Sequence, residues 1–575
     1  MVEPNKYYED KFHNNFPVDS PRDKQKPAVK AAFKEFDNGA DVVQIDAPPG
    51  LGKSFINYTV AQGMTGDVFY VTPLNTLVDQ LEEDKNLEPW IMTMKGRKHY
   101  ECISDFAPPG VSVDKAPCQK QSNFDCPIKE DCLYYGRKKS AMDHPFVVTN
   151  MSYLMADSMM PDDASQFEDR DILIVDEAQN IDDFALDFVS FTISKKTVPN
   201  DVWKNMTVPH EKYEEDEDKL IEWVDEEVSS AVKEGIRKRQ SKDRKSDQDL
   251  NELEQLTQFN SRIEKFIQDR INHDWIAQID WAGPASDNNR IMFKPITVGR
   301  FLHELLWGRA DKIILSSATI PKGDWLKEVG LDQANVHRLN IGSLFPVEHR
   351  PIITSHAIGK MTYNKRDENA PKMARKIKEI AEYHEGEKGL VHCRSYGMME
   401  QIQNAFYDNG DRKWFHENVK TQNRMDREGS LNKWRNGDTQ LFFSVNMSEG
   451  ISLDGDDCRF QILAKVLYPF MGDKRTKYRI QERDDWDWYN NQAAIQLEQA
   501  YGRAVRSVDD YASFYLLDES ATGLIDRNKH LFHDWFLEAM VETDNAGIIT
   551  DLKPRVLSDQ NFTSGGISSG ADVDW

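Results

Sequence analysis

A glycine-rich loop set between an apolar strand and a helical pattern is the feature of this sequence that most limits its fold. The stretch "DVVQIDAPPGLGKSFINYTVAQG" covers residues 41–63. Its loop, residues 46–54, ends in G-K-S, a pattern that cradles phosphates only where a strand precedes it and a helix follows. Gly50 and Gly52 would let backbone N–H groups approach a polyphosphate at the positive end of the helix dipole. The stretch therefore predicts a phosphate loop in an α/β fold.

Four side chains near this loop and a later strand predict the chemistry of a nucleotide site. Lys53 would reach the β- and γ-phosphates, and the Ser54 hydroxyl would bind Mg²⁺. The run "DILIVDEAQN" places Asp176 and Glu177 at the end of an apolar strand. Asp176 fits a second Mg²⁺ ligand, and Glu177 fits the base that orients the attacking water. A plain turn and the start of a solvated helix are the alternatives, and neither explains why both motifs occur together.

Short apolar runs recur in two series along the chain. The first series begins at residues 41, 67, 145, 171 and 311, and the second at residues 388, 439, 459 and 511. Buried parallel strands have this pattern because helices cover both of their faces. Helical patterns alternate with both series, which predicts an α/β fold class with two doubly wound parallel sheets. Residues 191–285 contain helical patterns and no convincing strand, so we expect a helical insertion there.

Composition limits the class of protein. The chain has 575 residues, of which 39% are hydrophobic and 29% charged, as in globular proteins with several cores. It shows no signal-peptide pattern and no apolar run of about 18 residues, so we expect a cytoplasmic protein without a membrane partner. The net charge of −25 argues against general DNA coating but leaves room for a local basic groove. The Gly/Ser-rich residues 558–575 predict a disordered tail.

Four of the six cysteines lie in residues 98–135, which we name the cysteine segment: Cys102, Cys118, Cys126 and Cys132. Disulfides rarely persist in a reducing cytoplasm, which favours a metal site. The spacing C-x15-C-x7-C-x5-C does not by itself separate an iron–sulfur cluster from zinc. Zinc sites favour closely spaced C-x₂₋₄-C pairs, which the segment lacks, so the residues alone lean modestly towards a cluster. Cys393 and Cys458 are expected to be small core residues.

Basic and aromatic residues flank the cysteine segment. Lysine and arginine contact backbone phosphates, and aromatic rings stack on unpaired bases. We therefore predict a single-strand contact here, although for any one of these residues a solvated surface is the simpler alternative. The predicted contacts are Lys98, Tyr134, Tyr135, Arg137, Lys138 and Lys139.

A second group of candidate nucleotide contacts follows the second series of strands. In "QAYGRAVRS", Gln499, Arg503 and Arg506 have the spacing of one helical face. Arginines contributed by a facing domain can stabilise the transferred γ-phosphate, whereas the alternative is a solvated basic face. Glu449 and Gly450 follow the strand "LFFSVN" and suit a nucleotide contact between domains, with an ordinary turn as the alternative.

In this order, the motifs resemble those of an XPD/DinG-type superfamily 2 helicase over about residues 16–520. The resemblance also rests on "RDKQ" (Arg22, Gln25), "VTPLNTLVDQ", "SSAT", "VHCRSYG" and "SEGISLDG". One departure is Gln179, which stands where the family usually has His. Gln can donate and accept hydrogen bonds towards the partner sheet, but it cannot titrate. The predicted insertion is also short beside the family's arch domain.

The resemblance implies two RecA-like motor domains, an inserted iron–sulfur domain and an arch-like helical insertion. The expected ranges are motor domain 1 at 1–97, 136–190 and 286–335, the cluster insertion at 98–135, the arch-like insertion at 191–285, and motor domain 2 at 336–557. The implied cofactors are ATP, Mg²⁺ and a [4Fe–4S] cluster bound by the four cysteines. The implied ATP contacts beyond the phosphate loop are Arg22, Gln25, Gln179, Glu449, Gly450 and Gln499.

The resemblance also implies an activity: an ATP-dependent DNA helicase that moves 5′→3′ on single strands. Its expected partners are single-stranded DNA and single-strand/duplex junctions, and we expect a monomer. One alternative is an ATP-driven translocase that remodels complexes without separating strands. The other is a non-catalytic DNA-binding scaffold, which the presence of Lys53, Glu177, Arg503 and Arg506 argues against.

Overall fold

The computed structural model describes residues 4–120, 125–160, 166–206, 217–242, 246–280, 288–445, 453 and 455–541. The chain divides into two compact units. Unit 1 comprises residues 1–343, 467–496 and 530–532, and unit 2 comprises residues 344–466, 497–529 and 533–575. The tail predicted at 558–575 lies outside the described residues.

The strands follow the apolar runs of the sequence. In chain order they are β1 (Val42–Asp46), β2 (Val68–Thr72), β3 (Met92–Met94), β4 (Phe146–Asn150), β5 (Arg170–Asp176), β6 (Phe191–Ser194), β7 (Trp275–Asp280), β8 (Arg290–Pro295), β9 (Ala310–Ser317), β10 (Val336–Asn340), β11 (Ile352–Ile353), β12 (Gly389–Cys393), β13 (Val419–Thr421), β14 (Leu441–Val445), β15 (Phe460–Leu463), β16 (Ser513–Leu516) and β17 (Met540–Val541).

Helices alternate with most of these strands. In chain order they are α1 (Pro4–Asn15), α2 (Gln25–Asp37), α3 (Lys53–Met64), α4 (Asn75–Glu83), α5 (Pro117–Lys120), α6 (Leu133–Met142), α7 (Met151–Ser158), α8 (Ile181–Val189), α9 (Asn200–Trp203), α10 (Glu217–Trp223), α11 (Ser229–Gln240), α12 (Asp247–Asp269), α13 (Gly299–Leu305), α14 (Trp325–Glu328), α15 (Arg366–Tyr383), α16 (Tyr396–Asp408), α17 (Arg412–Asn418), α18 (Arg427–Arg435), α19 (Lys474–Gln481), α20 (Trp486–Tyr501), α21 (Glu519–Arg527) and α22 (Asp534–Leu537). None of the helices in the described ranges is long and apolar enough to cross a membrane.

Unit 1 is built on a parallel sheet of seven strands in the order β10-β1-β9-β5-β2-β4-β3. Every residue of β1, β2 and β4 is buried, as expected for strands covered on both faces. All five runs of the first apolar series fall on strands of this sheet. The carboxyl ends of these parallel strands carry the phosphate loop and the acidic motif, which places both motifs at one edge of the sheet.

Unit 2 contains a second parallel sheet of seven strands, in the order β13-β14-β12-β15-β16-β11-β17. The four runs of the second apolar series form β12, β14, β15 and β16, the central part of the sheet. The predicted pair of doubly wound parallel sheets is therefore confirmed. The sequence patterns missed the short strands β11, β13 and β17, which have only two or three residues each.

The prediction that residues 191–285 contain no strand is wrong. Strands β6 and β7 lie in this range and pair with β8, forming an antiparallel sheet in the order β6-β8-β7. Phe191 stacks on Phe293 across the pair, with ring centroids 4.9 Å apart. Because β6 pairs with residues almost a hundred positions away, a local pattern gives little sign of it. The helical patterns predicted in this range do form helices α10, α11 and α12.

Two stretches expected in motor domain 2 belong instead to unit 1. Strand β10 pairs with β1, and Arg338 of β10 contacts Asp46 at 2.8 Å, so the boundary expected at residue 336 falls after residue 343. Residues 467–496 are also part of unit 1. There Arg475 donates to the Ile296 carbonyl at 2.8 Å, and Arg479 pairs with Glu328 at 2.8 Å. Both stretches join unit 1 because β10 pairs with a strand far away in the sequence and because these arginines make buried contacts. The apolar runs of the sequence do not reveal either kind of contact.

Candidate nucleotide-binding site

The phosphate loop adopts a backbone that needs its glycines. Gly50 has φ 80° and Gly52 has φ 82°, in the left-handed region that favours glycine. A Cβ on Gly52 would also lie 2.5 Å from Nε2 of Gln25. Helix α3 begins at Lys53, directly after the loop, so its first N–H groups face the end of the sheet where the loop lies. This is the strand–loop–helix context that the sequence predicted for phosphate binding.

Gln25, the first residue of helix α2, and Arg22, just before the helix, support the loop. The Gln25 side chain is buried, and its Nε2 donates to the carbonyls of Leu51 at 2.9 Å and Gly52 at 3.3 Å. Its Oε1 accepts the backbone N–H of Arg22 at 2.7 Å, and the Arg22 guanidinium donates to the Gly50 carbonyl. Both residues predicted from "RDKQ" therefore fix the loop backbone. Their contact with an adenine stays a prediction.

The acidic motif lies beside the loop lysine. Asp176 ends β5, Glu177 follows with φ 50°, and Lys53 Nζ lies 3.8 Å from Glu177 Oε1. Asp176 is buried, and burial raises the pKa of its carboxyl to about 6, with the charge of Glu177 adding to the rise and Lys53 opposing it. The sheet thus brings together the lysine and both acids that the two separate motifs predicted. Ser54, the predicted Mg²⁺ ligand, is the second residue of α3.

Tyr70 is a part of this site that the motifs did not predict. It lies on β2, next to β5, and its hydroxyl donates to Asp176 Oδ2 at 2.9 Å. The same hydroxyl accepts a hydrogen bond from Asn57 Nδ2 of helix α3 at 3.4 Å. Tyr70 therefore holds the Asp176 carboxylate in place from a neighbouring strand. The sequence signal for this role is the hydroxyl of a tyrosine in an otherwise apolar strand.

Gln179 connects the acidic motif to the neighbouring strand β9. Its Nε2 donates to Glu177 Oε2 at 2.9 Å, and its Oε1 accepts from the Ser317 hydroxyl. Ser317 Oγ in turn accepts the backbone N–H of Thr319 at 2.9 Å. The amide thus both donates and accepts, as predicted for this residue. Its partners lie in unit 1, however, and not in the second sheet.

The arginine motif is only partly helical, which corrects the predicted single helical face. Helix α20 carries Gln499 but ends at Tyr501, so Arg503 and Arg506 lie in the turn that follows. Asp510 fixes this turn by accepting the backbone N–H of Arg506 at 3.2 Å. Glu449 and Gly450 lie outside the described residues.

The cysteine segment contains thiol ligands of the type that an iron–sulfur cluster uses, but in the described part of the chain the structure does not show them grouped around one site. All four thiols are free and partly buried. Thiolates are the usual ligands of a [4Fe–4S] cluster, so the chemistry of the donor set fits. Within the described ranges, which omit residues 121–124, no three Cys, His, Asp or Glu side chains form a group that could hold a metal. The structure therefore does not show a cluster, and the four ligands stay a prediction.

Several of the predicted strand contacts beside the cysteine segment are not accessible. Tyr134 is 2% exposed and Lys138 6%, and Lys138 pairs with Asp157 at 3.3 Å. Both side chains lie on the inner face of α6, which argues against a strand contact by either residue. Arg137 donates to Glu82 at 2.6 Å, and Tyr135 accepts from Gln119 at 3.0 Å. The exposed members of the set are Lys98 and Lys139.

Comparisons with known proteins match both units. Residues 377–539 match the family model described as a helicase C-terminal domain, and residues 19–185 match one described as the res subunit of type III restriction enzymes. No curated protein sequence matches the chain significantly.

Solved structures match nearly the whole chain. Xpd4 of S. tokodaii is 16% identical, with a TM-score of 0.57, 91% of this chain covered and 100% of that chain. A solved XPD helicase is 17% identical, with a TM-score of 0.58 and coverage of 92% and 100%. An apo XPD is 15% identical, with a TM-score of 0.54 and coverage of 88% and 98%. At these identities the likeness concerns the fold.

The chain thus has two parallel-sheet units, a phosphate loop with its acidic motif, and a stretch that matches the helicase C-terminal model. Its fold is XPD-like, as the order of the motifs predicted.

Proposed function

We propose that the chain is an ATP-dependent DNA helicase that translocates on single-stranded DNA and unwinds duplexes. The observation that carries the proposal is the meeting of Lys53, Asp176 and Glu177 at one edge of the unit 1 sheet. A phosphate-binding lysine, a metal-binding acid and a water-orienting acid are the parts that nucleotide hydrolysis requires. A non-catalytic scaffold would have no need of this arrangement.

Each residue of the site has a role in the proposed hydrolysis. Lys53 and the loop N–H groups bind the β- and γ-phosphates, while Ser54 and Asp176 would hold Mg²⁺, which would supply neutralisation of the phosphate charge. Glu177 orients the attacking water, and Gln179 holds Glu177 through its 2.9 Å hydrogen bond. The guanidiniums of Arg503 and Arg506, which unit 2 contributes, stabilise the charge of the transferred phosphoryl group. Conformational change coupled to this hydrolysis cycle drives movement along the strand.

A [4Fe–4S] cluster bound by Cys102, Cys118, Cys126 and Cys132 belongs to the same proposal. A bound cluster would supply four metal–thiolate links and no part of the phosphate chemistry. Two exposed apolar side chains of the segment support this role, since Ile103 is 51% exposed and Phe106 63%. Short units that cover so little apolar surface usually depend on a metal to hold their shape.

A strand-displacement assay tests the activity and its direction. The substrates are duplexes with a 5′ or a 3′ single-stranded tail, and ATP hydrolysis is measured alongside with and without single-stranded DNA. We expect hydrolysis stimulated by single strands and displacement of the 5′-tailed duplex. Hydrolysis with streptavidin removal from a biotinylated strand but without displacement would favour the translocase alternative. Absence of any nucleotide hydrolysis would contradict the proposal.

A further inference from the structure

A buried hydrogen-bonded pair, Glu498 and His533, holds the helix that leads into the arginine motif. Glu498 of α20 directly precedes Gln499, and it is 1% exposed, as is His533. Glu498 Oε1 accepts the backbone N–H of His533 at 2.7 Å, and Glu498 Oε2 lies 2.7 Å from His533 Nδ1. Both carboxylate oxygens are therefore engaged by a single residue of the last described segment. All of these groups belong to unit 2.

A second attachment lies three residues further along the same helix. The Tyr501 hydroxyl donates to the Arg350 carbonyl at 2.7 Å, and the Tyr501 ring stacks on Trp535 with centroids 5.6 Å apart. The buried Arg350 guanidinium donates to the Trp535 carbonyl and pairs with Glu538. Residues 533–538, which we name the C-terminal brace, thus contact α20 at Glu498 and again at Tyr501.

The two attached residues lie on a different face of α20 from Gln499, the predicted nucleotide contact. Successive residues of an α-helix point about 100° apart, so Glu498 and Tyr501 share one face, while Gln499 points to another. The attached face fixes the rotation and the axial position of α20. Because Arg503 and Arg506 follow within five residues of the helix end, any shift of α20 also displaces the turn that carries them.

We propose that Glu498 and His533 are positioning residues for ATP hydrolysis, which makes the C-terminal brace a part of the ATPase machinery. The inference rests on the proposed function. Neither residue contacts the nucleotide directly. The pair acts through α20, setting where Gln499 and the two arginines are presented. Phosphoryl transfer is sensitive to placement, since a misplacement of about 1 Å can cost about a hundredfold in rate.

The test uses a volume-conserving variant and a matched control in the same unit. Glu498→Gln in the full chain keeps the shape of the side chain and removes its charge. The control is Glu387→Gln, because Glu387 Oε2 lies 2.6 Å from Nδ1 of His384, which is also 1% exposed, and both residues lie in the loop between α15 and β12. We expect the kcat of DNA-stimulated hydrolysis to fall at least about tenfold in Glu498→Gln, with the KM for ATP little changed. The control should retain the wild-type kcat.

A double variant separates positioning from general loss of stability. If Glu498 acts through the arginine turn, adding Glu498→Gln to Arg503→Ala should cause little further loss, because coupled residues are not additive. Thermal unfolding of all variants shows whether they fold equally well. Equal losses in Glu498→Gln and Glu387→Gln, or fully additive losses with Arg503→Ala, would overturn the inference. A wild-type chain without hydrolysis would contradict the proposed function and this inference together, whereas normal kcat in Glu498→Gln would contradict this inference alone.

Discussion

The phosphate loop and the cysteine segment both belong to unit 1, and the chain builds them by different means. The loop is held by buried protein groups: the side chain of Gln25 binds its carbonyls, and β1 lies between two parallel neighbours. Between residues 98 and 133 the only buried apolar side chains in the described part are Val113 and Ala116. Among the residues of this stretch that the structure describes, regular structure is limited to single helical turns and one bridge, Glu101 to Ser112.

This difference indicates which of the two regions needs a bound group in order to fold. The loop takes its left-handed glycine conformations from the surrounding sheet and helices, so it should fold without a ligand. The described part of the cysteine segment buries few apolar side chains, so we expect it to need a bound group to offset the entropy of ordering its backbone. Nucleotide chemistry and metal-dependent shape should therefore be separable by mutation. The following predictions test that separation.

The largest expected effect is the loss of nucleotide turnover in Lys53→Ala. The variant removes both the charge and the reach towards the β- and γ-phosphates, so hydrolysis should fall by a factor of about 10³ or more. Lys312→Ala is the control, since Lys312 lies on β9 and contacts Asp41 at 3.2 Å. Glu177→Gln should bind ATP but hydrolyse it poorly. Turnover by Lys53→Ala at the wild-type rate, measured by phosphate release, would contradict the assignment of the site.

Sequence patterns revealed the parts of this site that depend on local chain order. The loop, Asp176 and Glu177 follow apolar strands directly, so strand–loop–helix reasoning places them at one edge of a parallel sheet. Tyr70 is different, because its contact with Asp176 joins residues 106 positions apart and depends on β2 pairing with β5. The same limit explains β10 and residues 467–496, whose place in unit 1 follows from contacts that are distant along the chain.

The second largest effect is expected from a variant in the cysteine segment, and it should leave the phosphate loop unaffected. Cys126→Ser should lose iron and strand displacement while retaining nucleotide binding, because the loop is fixed by other contacts. Anaerobically purified wild-type protein should carry about four irons and four sulfides. Metal and sulfide analysis, absorption spectra and binding of a fluorescent ATP analogue are the measurements.

A buried cysteine provides the control for this experiment. Burial raises the pKa of Cys458 to about 12, so it remains a protonated core thiol, and Cys458→Ala should keep the iron. If the wild-type protein contains stoichiometric zinc and no iron, the bound group is zinc and not a cluster. The segment would still depend on a bound metal. Full strand displacement by an iron-free Cys126→Ser protein would remove the difference between the two regions.

The sequence of helix α6, beside the cysteine segment, contains a helical spacing that indicates which of its basic residues are buried. Tyr134, Lys138 and Ala141 are the buried residues of α6, and their spacing is that of one helical face. A lysine on such a face is expected to pair with a buried acid, as Lys138 does with Asp157. Its neighbour Lys139 points away and is exposed. Two adjacent lysines thus have different environments, which a count of basic residues cannot distinguish.

The smallest expected effect distinguishes these two lysines. If Lys139 contacts a strand phosphate, Lys139→Ala should reduce the slope of log affinity against log salt by about 0.7, the value for one released counterion on a single strand. Lys138→Ala should leave that slope unchanged. It should instead lower the free energy of unfolding by about 3 kcal/mol, because it removes one partner of a buried ion pair. Arg309, 3.4 Å from Asp157, can offset part of that cost.

Oligonucleotide binding at several salt concentrations, together with denaturant unfolding of each variant, measures both quantities. A changed slope in Lys139→Ala with wild-type stability would place the strand along the exposed face of α6. An unchanged slope in Lys139→Ala would show that this face does not contact phosphate. A changed slope in folded Lys138→Ala would mean that the inner face of α6 opens when DNA binds, because a buried ammonium group cannot otherwise release a counterion from the strand.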